Sequence, residues 1–383
     1  MAGIMRRWSR SSEAKFRCNG TLPAIDIQRI LVCRPNHRLG NTLLLTPLII
    51  ELARLLPNAT IDVVVGGEAG SEVFQTFPNV RRVYSLSRRM IRHPIAVMRT
   101  LLQLRAAGYD LAMDPSEASQ SGRLLLTLAN APHAIGVPRN RIGAGALDES
   151  RVVAMRSAPA HMAQLPVFLL RNALSTREPA TRTDYPPLTI GLTPLERQSG
   201  RCALDTLLPV ADQRQTPAAI GIFASATGAK VLDKEWWSQF IDELRAHQPG
   251  TALVEILPPG TASQFGNSFP TYASVSIRKV AALIANMACF VCADCGVMHL
   301  ACASGTMTVG LFSATDPLKY APYGRGSHAI NTNGKTPAQV ARLVAAAITA
   351  GGRQETPDTG LFAGTQTGPV YDAPRQVSHE YSP

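Results

Sequence analysis

The segment CADCGVMHLACASG, residues 292–305, decides how the rest of this sequence is interpreted. The apolar run Cys289–Ala293 predicts a buried strand, and Gly296 begins a run that predicts a helix containing His299. Asp294 therefore leaves the end of a strand just before a helix begins. Because a helix N-terminus offers free backbone N–H groups, such a junction is typical of a site for a phosphate or a sugar hydroxyl. The alternative for His299 is a hydrogen-bonded core residue.

Strand-like and helix-like runs alternate on both sides of this segment. The first half contains strand candidates at Arg29–Cys33, Thr60–Val65 and Asp110–Met113, and a helix candidate at Asn41–Leu56. The second half contains strand candidates at Ala219–Ala224, Thr251–Leu257 and Thr308–Phe312, and helix candidates at Asp233–His247 and Ile277–Met287. This alternation predicts an α/β protein with two parallel sheets wrapped by helices. Such sheets bind ligands at the carboxyl ends of their strands, so two that face each other would form a central cleft.

The length of 383 residues also suggests two domains. We expect an N-terminal domain over residues 25–200 and a C-terminal domain over residues 201–350. The connection between them is expected within Pro179–Thr216, which is rich in Pro, Thr and charged residues. Residues 1–24 and 351–383 lack apolar periodicity, which predicts a disordered basic tail and a flexible tail.

Charge is distributed unevenly between the halves. Residues 1–200 contain 25 Lys and Arg against 14 Asp and Glu, whereas the remaining 13 basic and 13 acidic residues of the second half balance. The excess suggests an acidic partner, which could be a phosphorylated substrate, an anionic membrane surface or nucleic acid. A solvated basic surface without a partner is the alternative. Aromatic residues make up 6% and the Arg residues are dispersed, which disfavours nucleic acid.

The sequence predicts a cytoplasmic protein. No apolar segment typical of a signal peptide precedes Ile30, and no run of about 20 apolar residues predicts a spanning helix. Seven Cys residues without an export signal favour reduced thiols. Four of them, Cys289, Cys292, Cys295 and Cys302, suggest a metal site, but residues 289 and 292 would point to opposite faces of a strand. We therefore expect no metal site and no cofactor.

Two further strand-to-helix turns carry polar side chains. Residues 34–41, RPNHRLGN, include His37 as a proton carrier and Arg38 as an anion contact, although Asn41 could simply cap the following helix. Residues 225–230, SATGAK, combine small residues, a hydroxyl and Lys230, which suit a pyrophosphate, although the turn could equally be structural. The spacing of a P-loop is absent there, and no GxGxxG motif of a dehydrogenase follows a strand.

Together these segments resemble glycosyltransferase family 9, the heptosyltransferases of the lipopolysaccharide inner core. The resemblance covers about residues 28–350 and is carried by Asp294–Gly305 with Gly310–Pro317 (GLFSATDP), by Arg38–Pro47 (RLGNTLLLTP), and by Ala226–Lys230 followed by Trp236 and Trp237. It implies the GT-B architecture, in which two Rossmann-like domains face a central cleft. It also implies an inverting, metal-independent transfer from ADP-heptose to an acidic lipid A–Kdo acceptor, with peripheral contact at the inner face of the cytoplasmic membrane.

The resemblance also implies roles for individual residues. Thr227 and Lys230 would hold the donor pyrophosphate, and Asp294 would bind the sugar hydroxyls. Support around the donor would come from Cys295, Gly296 and His299. In the basic half, Arg34 and Arg38 would contact the acceptor.

The sequence departs from the family pattern where the general base is expected. The carboxylate that usually follows Leu-Gly is Asn41 here, and an amide cannot accept the acceptor proton. Smaller departures are Cys295 in place of Ser or Thr, Met307 in place of Pro and Ser313 in place of Gly. Asp114, His37 or a carboxylate of the acceptor could replace the base, and Asp114, at the end of a strand, is our first choice. Another nucleotide-sugar donor, a non-catalytic nucleotide-sugar-binding protein, and a basic membrane-surface protein remain alternatives.

Overall fold

The protein is described here from a computed structural model. The described residues are 22, 26–67, 69–86, 94–116, 119–137, 158–174, 184–208 and 218–351. The two tails expected at residues 1–24 and 351–383 lie almost entirely outside them.

The N-terminal unit is built around a five-stranded sheet in the order β3-β2-β1-β4-β5, in which every pair is parallel. Its strands are β1 (Arg29–Arg34), β2 (Thr60–Gly66), β3 (Val80–Leu86), β4 (Leu111–Asp114) and β5 (His133–Gly136). Its helices are α1 (Leu39–Leu43), α2 (Thr46–Leu55), α3 (Ala69–Phe74), α4 (Pro94–Ala106), α5 (Gln120–Ala129) and α6 (Leu165–Leu174).

The C-terminal unit contains a six-stranded parallel sheet in the order β11-β10-β9-β6-β7-β8. Its strands are β6 (Ala219–Phe223), β7 (Ala252–Leu257), β8 (Thr271–Ala273), β9 (Cys289–Ala293), β10 (Thr308–Phe312) and β11 (His328–Asn331). Its helices are α7 (Pro194–Leu207), α8 (Lys234–His247), α9 (Ile277–Ile284), α10 (Gly296–Ser304), α11 (Pro317–Tyr320) and α12 (Pro337–Gly351).

Both sheets reverse their strand order next to their first strand. The reversal lies between β1 and β4 in the first sheet and between β6 and β9 in the second. In open parallel sheets, ligands bind outside the carboxyl ends of the strands at such switch points. The prediction of two parallel-sheet α/β units is therefore confirmed, and each unit has one position where a ligand site is expected.

The strands form because their side chains can be buried on both faces. All five residues of β9 and of β10 are buried, as helices on both sides of a parallel sheet require. One apolar cluster continues from the first unit into the second, since it contains both Leu44 and Leu48 and also Met298 and Ala301. The two units therefore share part of a core.

The predicted helix Asn41–Leu56 is wrong as a single element. The structure divides it into α1 and α2, with a break at Leu44 and Leu45. Pro47 lies in the first turn of α2, where its missing N–H costs no hydrogen bond, and the Thr46 hydroxyl donates to the Leu43 carbonyl at 2.8 Å. Proline within one continuous helix would have removed an internal hydrogen bond, which explains the break.

The connection between the units is held by one arginine. Arg278, on α9, donates to the carbonyls of Ile190 and Gly191 in the connecting segment and pairs with Glu196 on α7 at 2.6 Å. It also donates to the Glu72 carbonyl on α3 of the first unit. The domain boundary predicted after residue 200 lies within α7. The exact position of the boundary stays a prediction.

Among the described residues, none of the helices combines the length and the apolar character that crossing a membrane requires.

Candidate active site

Three strand ends converge at the switch point of the second sheet. Lys230 follows β6, Asp294 follows β9 and Thr315 follows β10, and these strands are neighbours in the sheet. The Lys230 ammonium lies 2.6 Å from Asp294 Oδ2, and the Thr315 hydroxyl donates to the same carboxylate oxygen. Asp294 is only 5% exposed, so this charge depends on these two partners. The structure therefore brings the predicted donor residues Lys230 and Asp294 together.

The turn that carries Lys230 is held by the neighbouring loop. Gly228–Lys230 forms a single turn of 3₁₀ helix, and the Ser313 hydroxyl donates to the Ala229 carbonyl at 3.2 Å. Thr227 precedes this turn and is exposed. Both the hydroxyl of Thr227 and the ammonium of Lys230 thus lie at the carboxyl edge of the sheet, where a pyrophosphate could reach them.

Cys295 is the N-cap residue of α10, directly after Asp294. The neighbouring Cys292 thiol and the backbone N–H groups of Met298 and Val297 lower the pKa of Cys295, although burial acts in the opposite direction. A helix N-terminus favours negative charge, so this environment is one in which a thiolate is stabilised. Cys292 itself is fully buried, and burial raises the pKa of its thiol.

His299 and Gly296 form one of the contacts between the two units. A Cβ atom on Gly40, in α1, would lie 2.7 Å from His299 Cδ2, and one on Gly296 would lie 3.1 Å from the Gly40 backbone nitrogen. In the structure the missing side chain of Gly296 leaves room for α1 of the other unit. Burial lowers the pKa of His299 to about 4, so this ring packs as a neutral group.

The switch point of the first sheet carries Arg34 at the end of β1. Its guanidinium is buried and donates to Asn41 Oδ1 at 3.0 Å. Arg38, the N-cap residue of α1, is exposed. The interpretation of Asn41 as the helix cap is wrong, because α1 already begins at Leu39 and the Asn41 side chain accepts from Arg34 instead.

Asp114 lies at the end of β4, next to β1 in the sheet. Its Oδ1 accepts from the Ser116 backbone N–H at 3.1 Å, whereas its buried Oδ2 has no hydrogen-bond partner among the described residues. Burial raises the pKa of Asp114 to about 6, although the Ser116 hydrogen bonds and the charges of Arg123 and Arg34 act against it. Gly122 makes room for this carboxylate, since a Cβ there would lie 2.3 Å from Oδ2. The group can therefore accept a proton near neutral pH.

His37 lies on the other side of β1 from Asp114. The backbone of Asn36 and His37 passes over the end of β2, where it fills the space that a side chain on Gly66 would take. Since β2 and β4 flank β1 on opposite sides, the structure does not bring the two candidate bases together. Only Asp114 shares the switch point with Arg34.

Thr315 and Arg123 are two polar residues of these sites that the sequence did not single out. Thr315 lies in the GLFSATDP segment, one strand from Asp294, and its place after a buried strand was the available signal. Arg123 donates to the Val137 carbonyl at 2.6 Å, and its charge acts on Asp114. A charged residue within the apolar run of α5 was the signal there.

The described part of the chain contains no group of three or more His, Cys, Asp or Glu side chains that could hold a metal ion. Burial raises the pKa of Cys289 to about 12 and that of Cys302 to about 11, so both remain thiols. The described cysteines are free.

The chain matches the model of glycosyltransferase family 9 (heptosyltransferase) over residues 97–345. Among the solved structures that are similar to it is a glycosyl transferase family 9 from Veillonella parvula DSM 2008. That structure has 19% sequence identity and a TM-score of 0.65, and the match covers 85% of this chain and 99% of the other. No curated protein matched this sequence.

Two further similar structures come from E. coli. One is ADP-heptose lps heptosyltransferase II, with 18% identity, a TM-score of 0.61, and coverage of 84% of this chain and 99% of the other. The second is heptosyltransferase WaaC with ADP, with 19% identity, a TM-score of 0.59, and coverage of 85% and 100%. These similarities concern the fold and agree with the GT-B architecture expected from the sequence.

Proposed function

The chain belongs to glycosyltransferase family 9, the heptosyltransferases, and from this premise we propose that it transfers a heptose from ADP-heptose to an acidic glycolipid of the lipopolysaccharide core type. The transfer inverts the anomeric centre and needs no metal. One observation carries the proposal: Lys230, Asp294 and Thr315 meet at the switch point of the second sheet.

The donor site is proposed around this cluster. Lys230 meets the charge of the departing diphosphate, with Thr227 as a hydroxyl donor beside it. Asp294, held in place by Lys230 and Thr315, accepts hydrogen bonds from the sugar hydroxyls. Cys295, Gly296 and His299 support this loop, the last two through their contact with α1.

The reaction is proposed as one displacement. An acceptor hydroxyl attacks the anomeric carbon from the face opposite ADP, the bond from that carbon to the β-phosphate oxygen breaks, and the hydroxyl proton passes to Asp114. The raised pKa of Asp114 supports this role, since a carboxylate with a pKa of about 6 is a stronger base than an exposed one. His37 is the second candidate, and Asn41 would only orient Arg34.

The acceptor is proposed to bind the basic N-terminal unit. Arg34 lies beside Asp114, and Arg38 is exposed at the start of α1. The excess of Arg in residues 1–200 supports an acidic acceptor, because guanidinium groups bind phosphates and carboxylates in a bidentate manner. A glycolipid acceptor further implies that the protein works in the cytoplasm, at the inner face of the membrane.

Release of ADP from ADP-heptose, with and without a lipid A–Kdo acceptor, tests the proposal. We expect ADP release that depends on the acceptor, a product with the opposite anomeric configuration, and an unchanged rate with a chelator present. Donors with UDP or GDP are the matched controls, and a higher rate with either would overturn the choice of donor.

The exchange of the family carboxylate for Asn41 favours a second candidate, a non-catalytic protein that binds nucleotide sugars. Its signature is a rise in the melting temperature with ADP-heptose, because the ligand binds only the native state, but no release of ADP with the acceptor present.

A further inference from the structure

Helix α4 carries apolar side chains on the face that points away from the core. Ile95, Met98 and Leu102 are 84%, 57% and 59% exposed. Their spacing places them on one side of the helix, whereas Leu101 and Leu104 pack under the opposite side, against the sheet. The helix therefore has a core face and a separate apolar face in solvent. Contiguous exposed apolar surface of this kind commonly marks an interaction site.

Arginines flank this exposed face on both sides. A helix turns by about 100° per residue, which places Arg99 on one side of the apolar stripe and Arg105 on the other. Both are exposed. The surrounding sequence has the same sign, because residues 73–109 contain seven Arg and no Asp or Glu. An apolar stripe between basic residues is the pattern of a helix that lies in a membrane interface.

The position of α4 connects this face with the proposed active site. The helix leads from β3 to β4, and because these strands are parallel it runs antiparallel to them. Its N-terminal end, with Ile95 and Met98, therefore lies towards the carboxyl edge of the sheet. Arg34 and Asp114 lie at the same edge.

We propose that this face, formed by Ile95, Met98, Arg99, Leu102 and Arg105, docks on an anionic lipid bilayer. The apolar side chains enter the headgroup region and the guanidinium groups bind acidic headgroups. A second copy of this chain is a poorer occupant, because a two-fold interface would bring the same basic surface against itself. The inference rests on the proposed function, which has the protein work at the inner face of the membrane, and names the surface that would bind there; docking itself needs neither donor nor acceptor.

Sedimentation of the full-length protein with vesicles tests the docking surface. We expect binding to vesicles of phosphatidylcholine mixed with phosphatidylglycerol, weak binding to phosphatidylcholine alone, and less binding as salt is raised. The triple variant Ile95→Gln/Met98→Gln/Leu102→Gln should bind the mixed vesicles about tenfold more weakly or worse, since interfacial binding scales with buried apolar area. Arg99→Gln/Arg105→Gln should weaken binding as well.

The matched control is Leu195→Gln/Val275→Gln/Leu343→Gln, which removes three exposed apolar side chains elsewhere and should bind like the parent. The single variant Ile95→Gln changes the most exposed of the three positions. It should fold like the parent and still bind the mixed vesicles more weakly, so the test does not depend on correct folding of the triple variant. Equal vesicle binding by parent, triple and double variants would overturn the proposal. The proposal would also be overturned if the parent protein did not bind vesicles and instead formed a dimer that the triple variant does not form. Failure of heptose transfer would leave the vesicle result unaffected, so the two proposals fail separately.

Discussion

The two switch points of this molecule differ in how their carboxylates are partnered. In the second sheet, Asp294 has a cation at 2.6 Å and a hydroxyl donor. In the first sheet, the guanidinium of Arg34 donates a hydrogen bond to the neutral amide of Asn41. The Oδ2 atom of Asp114 is buried and accepts no hydrogen bond from the described residues. The carboxylate of Asp294 is held by an ion pair and a hydrogen bond, whereas the carboxylate of Asp114 lies in a site where burial disfavours its charged form.

The difference agrees with the roles that we propose for the two carboxylates, in which Asp294 orients the sugar and Asp114 accepts the proton. A carboxylate with two close partners is fixed in position, which suits the orientation of a sugar. A buried carboxylate in which one oxygen accepts no hydrogen bond has a raised pKa, which suits the removal of a proton from an acceptor hydroxyl.

The largest effect is expected from Asp114→Asn. The amide cannot take the proton, so transfer should slow by about 10² to 10⁴-fold. Because burial of the charged form is unfavourable at this site, the variant should also melt at a higher temperature than the parent at neutral pH. Steady-state kinetics and thermal unfolding measure both. Asp110→Asn, at the opposite end of β4, is the control and should keep its transfer rate.

Next is Lys230→Ala, which should lower kcat/KM for the donor by about 10²-fold, with a higher KM and a lower kcat. The charge that Lys230 meets grows as ADP departs, so both parameters should change. Lys230→Arg should retain part of the rate. The control is Lys234→Ala, which removes an exposed lysine from the start of α8. Unchanged kinetics in Lys230→Ala would exclude this residue from the donor site.

The dependence of the transfer rate on pH should report the protonation of Asp114. With the pKa of Asp114 raised to about 6, kcat/KM for the acceptor should fall about tenfold for each pH unit below that value and level off above it. Stability should move the opposite way. The folded-state pKa lies above the ordinary value of 3.8, so the native state binds the extra proton between these values, and this stabilisation is lost as pH rises through about 6. A rate profile without this step would contradict the role of Asp114.

The smallest expected effect is a rescue. Asn41→Asp in the Asp114→Asn background returns a carboxylate to Arg34 and should restore transfer by about tenfold. Asn41→Asp alone should change the rate of the parent much less, because on our proposal Asp114 is the base in the parent. If the double variant remained as slow as Asp114→Asn, the two positions would not be interchangeable.

The sequence was sufficient to predict the central strands whose side chains are buried on both faces of the sheet. Cys289–Ala293 and Thr308–Phe312 were predicted with the bounds the structure gives. The four outer strands of the two sheets were missed, which are Val80–Leu86, His133–Gly136, Thr271–Ala273 and His328–Asn331. Each of them is either only four residues long or less or has exposed residues, so none carries a long continuous apolar run.

Proximity within one unit could be inferred, but contact between units could not. Lys230 and Asp294 follow strands of the same sheet, and strand ends of a parallel sheet share an edge. The Gly40 and His299 contact joins two units whose relative placement no local pattern encodes. The motif therefore identified Gly296 as the start of a helix, but not the neighbour that requires this residue to lack a side chain.

The Gly40 and Gly296 contact has a mechanical meaning. Neither residue has a side chain, so a single methyl group at either position would act as a spacer between the two units. The contact therefore sets how closely α1 and α10 can approach, and it does so through two positions that carry no reactive group.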